Sequence, residues 1–404
     1  MKTLNEIIDL PASLQIALVT ETYLPEVNGV AITIGRMVKG LCLRGHSIHL
    51  IRPRQHKQDT AAAEPGYRET LVAGMPIPGY SGLKSGLPAK SLLLRLWRQQ
   101  RPDIVHIATE GPLGWSALSA ARKLNIPVST DFHTNFHSYT QHYGIGLLKW
   151  PIAAYLRHFH NKAACTLVPT KQLQLQLEQE GYQNVRVVSR GVDTELFNPI
   201  KRSKSLRACW GADDATPVVM LVSRIAAEKN LTVAIQAFEQ MRNVNPRAKM
   251  VLVGDGPARA TLQKQFPDVI FAGMQTGEAL AEHYASGDIF IYPSLTETYG
   301  NVTVEAMASS LAPIAYDYAA ARQHITHNSN GLLVPFGDTQ AFVTQAKSLV
   351  GDMDQVQRLR QTARRTMKTL SWDHIMGQME SVLLETVRTQ RKNHVQPELV
   401  TATD

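Results

Sequence analysis

The chain has 404 residues, room for two or three domains, and its 44% hydrophobic and 19% charged residues exclude a disordered or repeat-built protein. The formal net charge of +8 admits nucleic acid, anionic lipid or phosphorylated small molecules as partners. Lys and Arg are spread along the chain and form no single basic arm, which argues against nucleic acid.

Cys42, Cys165 and Cys209 lie far apart, with no CxxC or Cys/His spacing, so a zinc site is not expected and a reducing cytoplasm fits. The first fourteen residues carry Glu6 and Asp9 and do not read as a signal peptide. No stretch reaches the roughly 18 apolar residues of a spanning helix. The expected location is the cytoplasm, or the periphery of the inner face of the plasma membrane.

In chain order, a buried strand is expected at 15–20, a helix at 30–44 closed by Gly45, and a strand at 47–51. Residues 55–70 read as a loose, exposed loop. Further strands are expected at 103–107, 127–130, 165–168 and 186–189, most of them separated by helical patterns. The pattern restarts at 217–222, followed by a helix at 231–242 with Leu231, Ala234, Ile235, Phe238 and Met241 on one face. Strands at 249–253, 269–272, 288–292, 313–316 and 332–334 follow. Short apolar strands alternating with helices imply two doubly wound parallel sheets. The domains are placed at 1–192, 193–372 and 373–404, the last a terminal helix at 372–391, crossing back to the first domain, with a frayed tail. The basic cluster Lys201, Arg202, Lys204 and Arg207 is read as a solvated inter-domain loop. Two helices mixing Leu, Trp and Tyr with Lys and Arg, at 90–101 and 146–157, fit core packing or an anionic bilayer surface.

Chemistry collects at strand ends. Asn28-Gly29 opens the first helix; such a turn brings backbone N–H groups against a phosphate or is simply a βα connection. There is no GxGxxG, so the dinucleotide fingerprint is missing. Ser223-Arg224-Ile225-Ala226-Ala227-Glu228-Lys229-Asn230 follows a strand directly. Two cations there neutralise a diphosphate and stabilise it as a leaving group. Gly254-Asp255-Gly256-Pro257 permits close backbone approach, with Asp255 as a helix cap, or is a turn only. Between Ser294 and Ser309, Glu297 and Glu305 stand eight positions apart around a Gly300-Asn301 helix start. A carboxylate can accept both hydrogen bonds of a vicinal diol, and a helix start binds phosphate. The alternative for each glutamate alone is a favourable helix-dipole contact. Asp131-Phe132-His133, with Asn135, His137 and His142 following, offers His133 as a group to polarise a hydroxyl facing a shared cleft.

With these residues the chain resembles the retaining glycosyltransferases of family 4, from Ala17 to about Trp372. Glu297 to Glu305 looks like their E-x7-E motif, SRIAAEKN like their diphosphate segment and EVNGV like their N-terminal glycine loop. The flavour is that of bacterial GDP-mannose-dependent α-mannosyltransferases, including those acting on lipids, and of related sulfolipid synthases. The resemblance implies a GT-B fold: two Rossmann-like domains facing a central cleft. It implies that Arg224 and Lys229, with Ser223 and Gly254 beside them, hold the donor diphosphate. Glu305 would take the ribose, and Glu297 with the amides of Tyr299, Gly300, Asn301 and Val302 the transferred sugar and distal phosphate. His133 would sit near the reacting centre, and Asn28-Gly29 would close over the diphosphate. The partners implied are a nucleotide-sugar donor and a lipid or glycan acceptor, with peripheral contact to an anionic membrane, no nucleic acid, no cofactor and no metal. A UDP-sugar-dependent glycolipid synthase and a nucleotide-sugar isomerase are the alternatives. The chain departs from the family pattern at Ser310, where Gly is usual, and at Tyr318–Arg322, where a Gly-Gly loop is frequent; the second departure puts the donor sugar in doubt.

Overall fold

The computed structural model describes residues 13–26, 28–76, 84–133 and 149–400, with backbone alone for 149 and 393–400. Two compact units divide the chain: one from the N-terminal part, Trp150–Ser189 and the segment from Trp372 onward, the other including Arg190–Ser371.

The first unit carries β1 (Gln15–Val19), β2 (Ser47–Pro53), β3 (Ala63–Glu64), β4 (Tyr67–Val72), a small antiparallel pair β5 (Gly74–Pro76) and β6 (Lys84–Gly86), then β7 (Ile104–Ile107), β8 (Val128–Asp131), β9 (Cys165–Val168) and β10 (Val185–Val187). Its main sheet runs β10-β9-β8-β7-β1-β2-β4-β3. All its pairs are parallel except β3 with β4. The strands of its centre are buried along nearly their whole length, as a sheet covered on both faces requires, with β1 apolar after Gln15 and β8 carrying buried Ser129, Thr130 and Asp131. Helix α1 (Gly29–Leu43) begins where the Asn28 side chain accepts a 2.8 Å bond from the Ala31 N–H, and ends before Gly45 at φ +87°. Then come α2 (Lys90–Gln99), α3 (Pro112–Lys123), α4 (Lys149–His160) and α5 (Lys171–Gln179). Core packing accounts for α2, whose Leu93 and Trp97 are buried, while Trp150 at the start of α4 is 82% exposed.

Of residues 55–70, most up to Gly66 are exposed as expected, but the loop is fastened at Asp59 and its end is a strand: β4 pairs in parallel with β2, from Ile48 against Tyr67 to Pro53 against Val72. The cause is Arg52, which is buried on β2 and must be paired. Its guanidinium donates to both oxygens of Asp59 at 2.7 and 3.0 Å and to Glu69 at 2.8 Å. The bonds from Arg52 hold the Asp59 carboxyl down at about 2. Polar residues that read as solvated are the counter-ions that fasten this edge.

The second unit has one sheet of β11 (Val218–Val222), β12 (Lys249–Val253), β13 (Ile270–Gly273), β14 (Ile289–Tyr292), β15 (Ala312–Tyr316) and β16 (Leu332–Val334). The order is β13-β12-β11-β14-β15-β16, parallel throughout. Around it lie α6 (Lys204–Cys209), α7 (Leu231–Val244), α8 (Arg259–Gln265), α9 (Gly277–Ser286), α10 (Asn301–Ala308), α11 (Ala319–His324), α12 (Thr339–Gly351) and α13 (Met353–Met367). The expected apolar face of α7 is buried in this core.

Of the 201–207 cluster Lys204 is solvated as expected, but Arg202 and Arg207 are not. Arg207 is 1% exposed and donates to Asp288 and to the carbonyls of Ser286, Asp213 and Thr216. Arg202 and Arg360 reach the same Asp288 at 2.8 and 3.0 Å. A buried carboxylate at the start of β14 and the carbonyls at the end of α9 need donors, and arginine forks supply them.

The terminal helix α14 (Trp372–Val400) runs past the expected 391 and belongs to the first unit. It lies on α1 so closely that a Cβ on Gly40 would stand 2.4 Å from Met376 Cγ. Arg44 pairs with Glu380 and Asp373, both at 2.9 Å, and the buried His46 ring meets Glu380 at 3.0 Å.

Candidate functional site

In the second unit every strand delivers its chain to the same carboxyl edge, where ligands of such sheets bind. β11 hands over to Ser223 and Arg224, then to a 3-10 turn over Ala227–Lys229 that ends at Asn230 with φ +54°. The neighbouring loop after β12 presses against it. A Cβ on Gly254 would come within 1.9 Å of the Ser223 carbonyl oxygen, and one on Gly256 within 2.5 Å of that of Ile225. Only glycine fits this approach. Asp255 is not the expected helix cap: its carboxylate accepts from the Gly256 N–H at 2.7 Å and from Arg259 at 3.0 Å, and α8 starts after Ala258.

β14 leads through Pro293 to Glu297, and Gly300, at φ +92° ψ +61°, turns the chain into α10. That positive φ is open to glycine and costly to other residues. Asn301 and Val302 form the first turn, whose N–H groups lack intrahelical acceptors. Lys229 forms an ion pair with Glu297 Oε1. The same oxygen accepts from the Tyr292 hydroxyl at 2.6 Å and from Ser294 Oγ at 2.7 Å. Burial alone would lower the Lys229 pKa, but the Glu297 charge outweighs it and holds the ammonium charged. Burial, and next the same carboxylate, push the Tyr292 hydroxyl up, so it stays a donor.

Arg224, by contrast, pairs with the buried Glu228 one helical turn on. Glu305 is half-buried on α10 and accepts from the Tyr284 hydroxyl at 3.0 Å. Burial pushes its carboxyl up to about 7 in spite of that bond. Tyr299 is buried, and its hydroxyl donates to the Arg190 carbonyl at 2.9 Å and meets His324 Nε2 at 2.9 Å. Its side chain is structural, so a ligand would meet only its backbone. The Tyr318 hydroxyl donates to the Glu297 carbonyl at 2.6 Å, and the Ala320 N–H to that of Tyr299 at 2.7 Å. The segment where a Gly-Gly loop was missed therefore buttresses the Glu297 loop, with Ala319 itself at φ +51°. Tyr284, Tyr292 and Ser294 are not read as site residues from the sequence, because a tyrosine in an apolar strand or helix looks like core and a serine after proline like a turn; Tyr318 enters only as part of the departure from the family pattern. The one available signal was the Tyr292-Pro293-Ser294 run immediately before Glu297.

In the first unit, the carboxyl edge brings different groups together. Asn28 lends its side chain to α1: Oδ1 caps Ala31, and Nδ2 donates to Thr22 at 2.9 Å and Glu26 at 3.2 Å. A ligand there would meet the backbone of Asn28 and Gly29. His133, at the end of β8, is 6% exposed. Its Nε2 lies 3.0 Å from Asp131 Oδ2, and His106 Nε2 lies 3.4 Å from the same oxygen. Burial would raise the Asp131 pKa, but the two imidazoles hold it well below the usual carboxylate range. Beside them His160 links Thr130 at 2.9 Å to Glu110 at 3.3 Å. Val27, Asn135, His137 and His142 lie outside the described residues. A cavity of about 170 Å³ near His49, Arg68 and Trp97 lies at the opposite, amino edge of this sheet and takes no part in the site. Among the described residues no group of His, Cys, Asp and Glu is arranged to hold a metal ion, and no helix is long and apolar enough to cross a membrane.

A family model described as Glycosyltransferase Family 4 matches residues 27–196, and one described as Glycosyl transferases group 1 matches 216–352. A GDP-mannose-dependent alpha-mannosyltransferase of Mycobacterium tuberculosis is 33% identical over 91% of this chain and 97% of its own. An alpha-monoglucosyldiacylglycerol synthase of Streptococcus pneumoniae is 29% identical over 75% of this chain and 71% of its own. Among solved structures, a sucrose-phosphate synthase of Thermosynechococcus elongatus superposes with a TM-score of 0.79 over 93% of this chain and 100% of its own, at 18% identity. The two Rossmann-like units are thus those of the GT-B fold.

Proposed function

The chain belongs to glycosyltransferase family 4 and transfers a sugar, and we propose that it moves a hexose, mannose from GDP-mannose foremost, to a lipid or glycan hydroxyl. The observation that carries this reading is the convergence of Lys229, Tyr292 and Ser294 on Glu297 beside the α10 start. Lys229 and Arg224 neutralise the diphosphate as its bond to the sugar breaks, together with the first amides of α10. Glu297 accepts from hydroxyls of the transferred sugar, and Glu305 from the ribose diol. In the first unit His133, held by Asp131, is the candidate to touch the sugar or the acceptor. Retention follows if the acceptor attacks from the face the phosphate leaves, its proton passing to the leaving phosphate oxygen. No step uses a metal, so turnover should persist in EDTA.

The mannosyltransferase relative supports the GDP-mannose donor, and the glucosyldiacylglycerol synthase supports the second reading, a UDP-sugar and a lipid acceptor. The exposed Trp150, on a helix that also exposes Tyr155 and Arg157, favours peripheral contact with an anionic membrane in either case. A donor screen with membrane lipid extract, following released nucleoside diphosphate, tests both. Acceptor-dependent release of GDP from GDP-mannose is expected. Release of UDP alone would select the second reading, and sugar rearrangement without an acceptor would overturn both in favour of an isomerase.

A further inference from the structure

The Glu297 carboxylate is gripped on one oxygen. Lys229 Nζ, the Tyr292 hydroxyl and Ser294 Oγ all meet at Oε1. Among the described residues no donor meets Oε2. A carboxylate oxygen offers about two lone-pair directions, so three donors saturate Oε1. They also stop the carboxylate turning about its Cγ–Cδ bond, which sends Oε2 in one direction. The backbone is held as well, by the Tyr318 hydroxyl on the Glu297 carbonyl. On the side of Oε2 stands Gly300, where a Cβ would lie 3.8 Å from that oxygen and the positive φ disfavours one. Tyr292 is 5% exposed and Ser294 3%, so neither is placed to touch a ligand broadly; their polar atoms are spent on Glu297.

We propose that Tyr292 and Ser294 are positioning residues for sugar transfer: by holding Oε1 of Glu297 they present Oε2 to a hydroxyl of the transferred sugar. Specificity for the sugar then depends on the orientation of one carboxylate, and the two hydroxyls set that orientation without contacting the substrate. Lys229 alone would not suffice, because an ammonium on a four-carbon stem is a mobile point charge and selects no rotation of its partner. The two hydroxyls come from a strand end and a proline-fixed turn, and both are stiff. This proposal rests on the reading that Glu297 binds the transferred sugar.

The test separates binding of the sugar from binding of the nucleotide. Tyr292→Phe, Ser294→Ala and Glu297→Gln are titrated with GDP and GDP-mannose, or with UDP and UDP-glucose, whichever pair the unaltered protein binds more tightly. Tyr292→Phe and Ser294→Ala should bind the nucleoside diphosphate within about twofold of normal, lose the extra affinity that the sugar confers, and drop kcat by roughly tenfold each, as for a lost hydrogen bond to a charged group. Ser294→Thr, which keeps the hydroxyl, should recover most of the loss. Unchanged sugar affinity and kcat in Tyr292→Phe and Ser294→Ala, with both lost in Glu297→Gln, would overturn the positioning role alone. Equal weakening of both ligands would also overturn it, since that marks general damage to the loop. If Glu297→Gln keeps the sugar increment, the underlying reading of Glu297 falls and the proposal with it.

Discussion

The carboxyl edges of the two sheets are built on one topology and differ in how their charges are arranged. In the second unit, cation, carboxylate and hydroxyls meet on a single oxygen of Glu297, and the edge stays partly open. In the first, two imidazoles close on Asp131 within a buried row, and solvent hardly enters. An open edge of fixed charges suits a ligand that carries charge of its own and leaves again. A closed row of histidine and carboxylate suits the fine placement of one ring, His133. The same parallel sheet thus supports charge binding in one place and ring orientation in another.

The sharpest way to break that comparison is in the second unit. Lys229→Ala, Arg224→Ala and Glu297→Ala should each lower kcat by about 10²–10³-fold, followed as nucleoside diphosphate release, with cooperative unfolding retained. Near-normal turnover in all three would dissolve the assignment of that edge to the donor. In the first unit, Asp131→Asn should cost about 2 kcal/mol in denaturant unfolding, because it disturbs the acceptor that two buried imidazoles share. A cost under about 0.5 kcal/mol would mean that the row is not held through Asp131.

A subtler contrast lies in pH. With a carboxyl pushed up to about 7, Glu305 is neutral below that value and loses capacity to accept from a diol. Nucleoside diphosphate affinity should therefore fall between pH 8 and pH 6, and Glu305→Gln should flatten the dependence. The stability effect has the opposite sign. Between its ordinary value and about 7 the folded state holds the proton that the unfolded state has lost, so this group's contribution to stability declines as pH rises through that window. The smallest effect is expected at the end of α10. Ser310 sits at φ +63°, where glycine is relaxed, but its Oγ donates to the Arg360 carbonyl at 3.1 Å. Relief of strain and loss of that bond nearly offset, so Ser310→Gly should raise stability by roughly 0.5 kcal/mol in thermal unfolding.

Strand positions were legible because buried parallel strands are unbroken apolar runs: Cys165–Val168, Lys249–Val253 and Leu332–Val334 stand where the residues alone put them. Glu297 and Lys229 stood out because charge after a strand is unusual, and the fold pairs the two across 68 positions. What the sequence hid were residues whose role is set by a distant partner. Asp59 and Glu69 look solvated until Arg52 is seen beneath them, and Arg207 until Asp288 is. Tyr284 meets Glu305 across twenty-one positions, a pairing that no local pattern encodes.

The path of the chain has a consequence for how the protein is made. The first unit is assembled from separate segments and needs α14, whose Glu380 meets the His46 ring and whose Met376 fills the space over Gly40. Arg190–Ser371 forms an uninterrupted stretch of the second. During synthesis that stretch has left the ribosome before α14 exists, so the unit that starts later is the one able to finish first. Until the last thirty or so residues emerge, the opening third of the protein waits with its α1 surface uncovered, a state in which holding chaperones have an apolar face to bind.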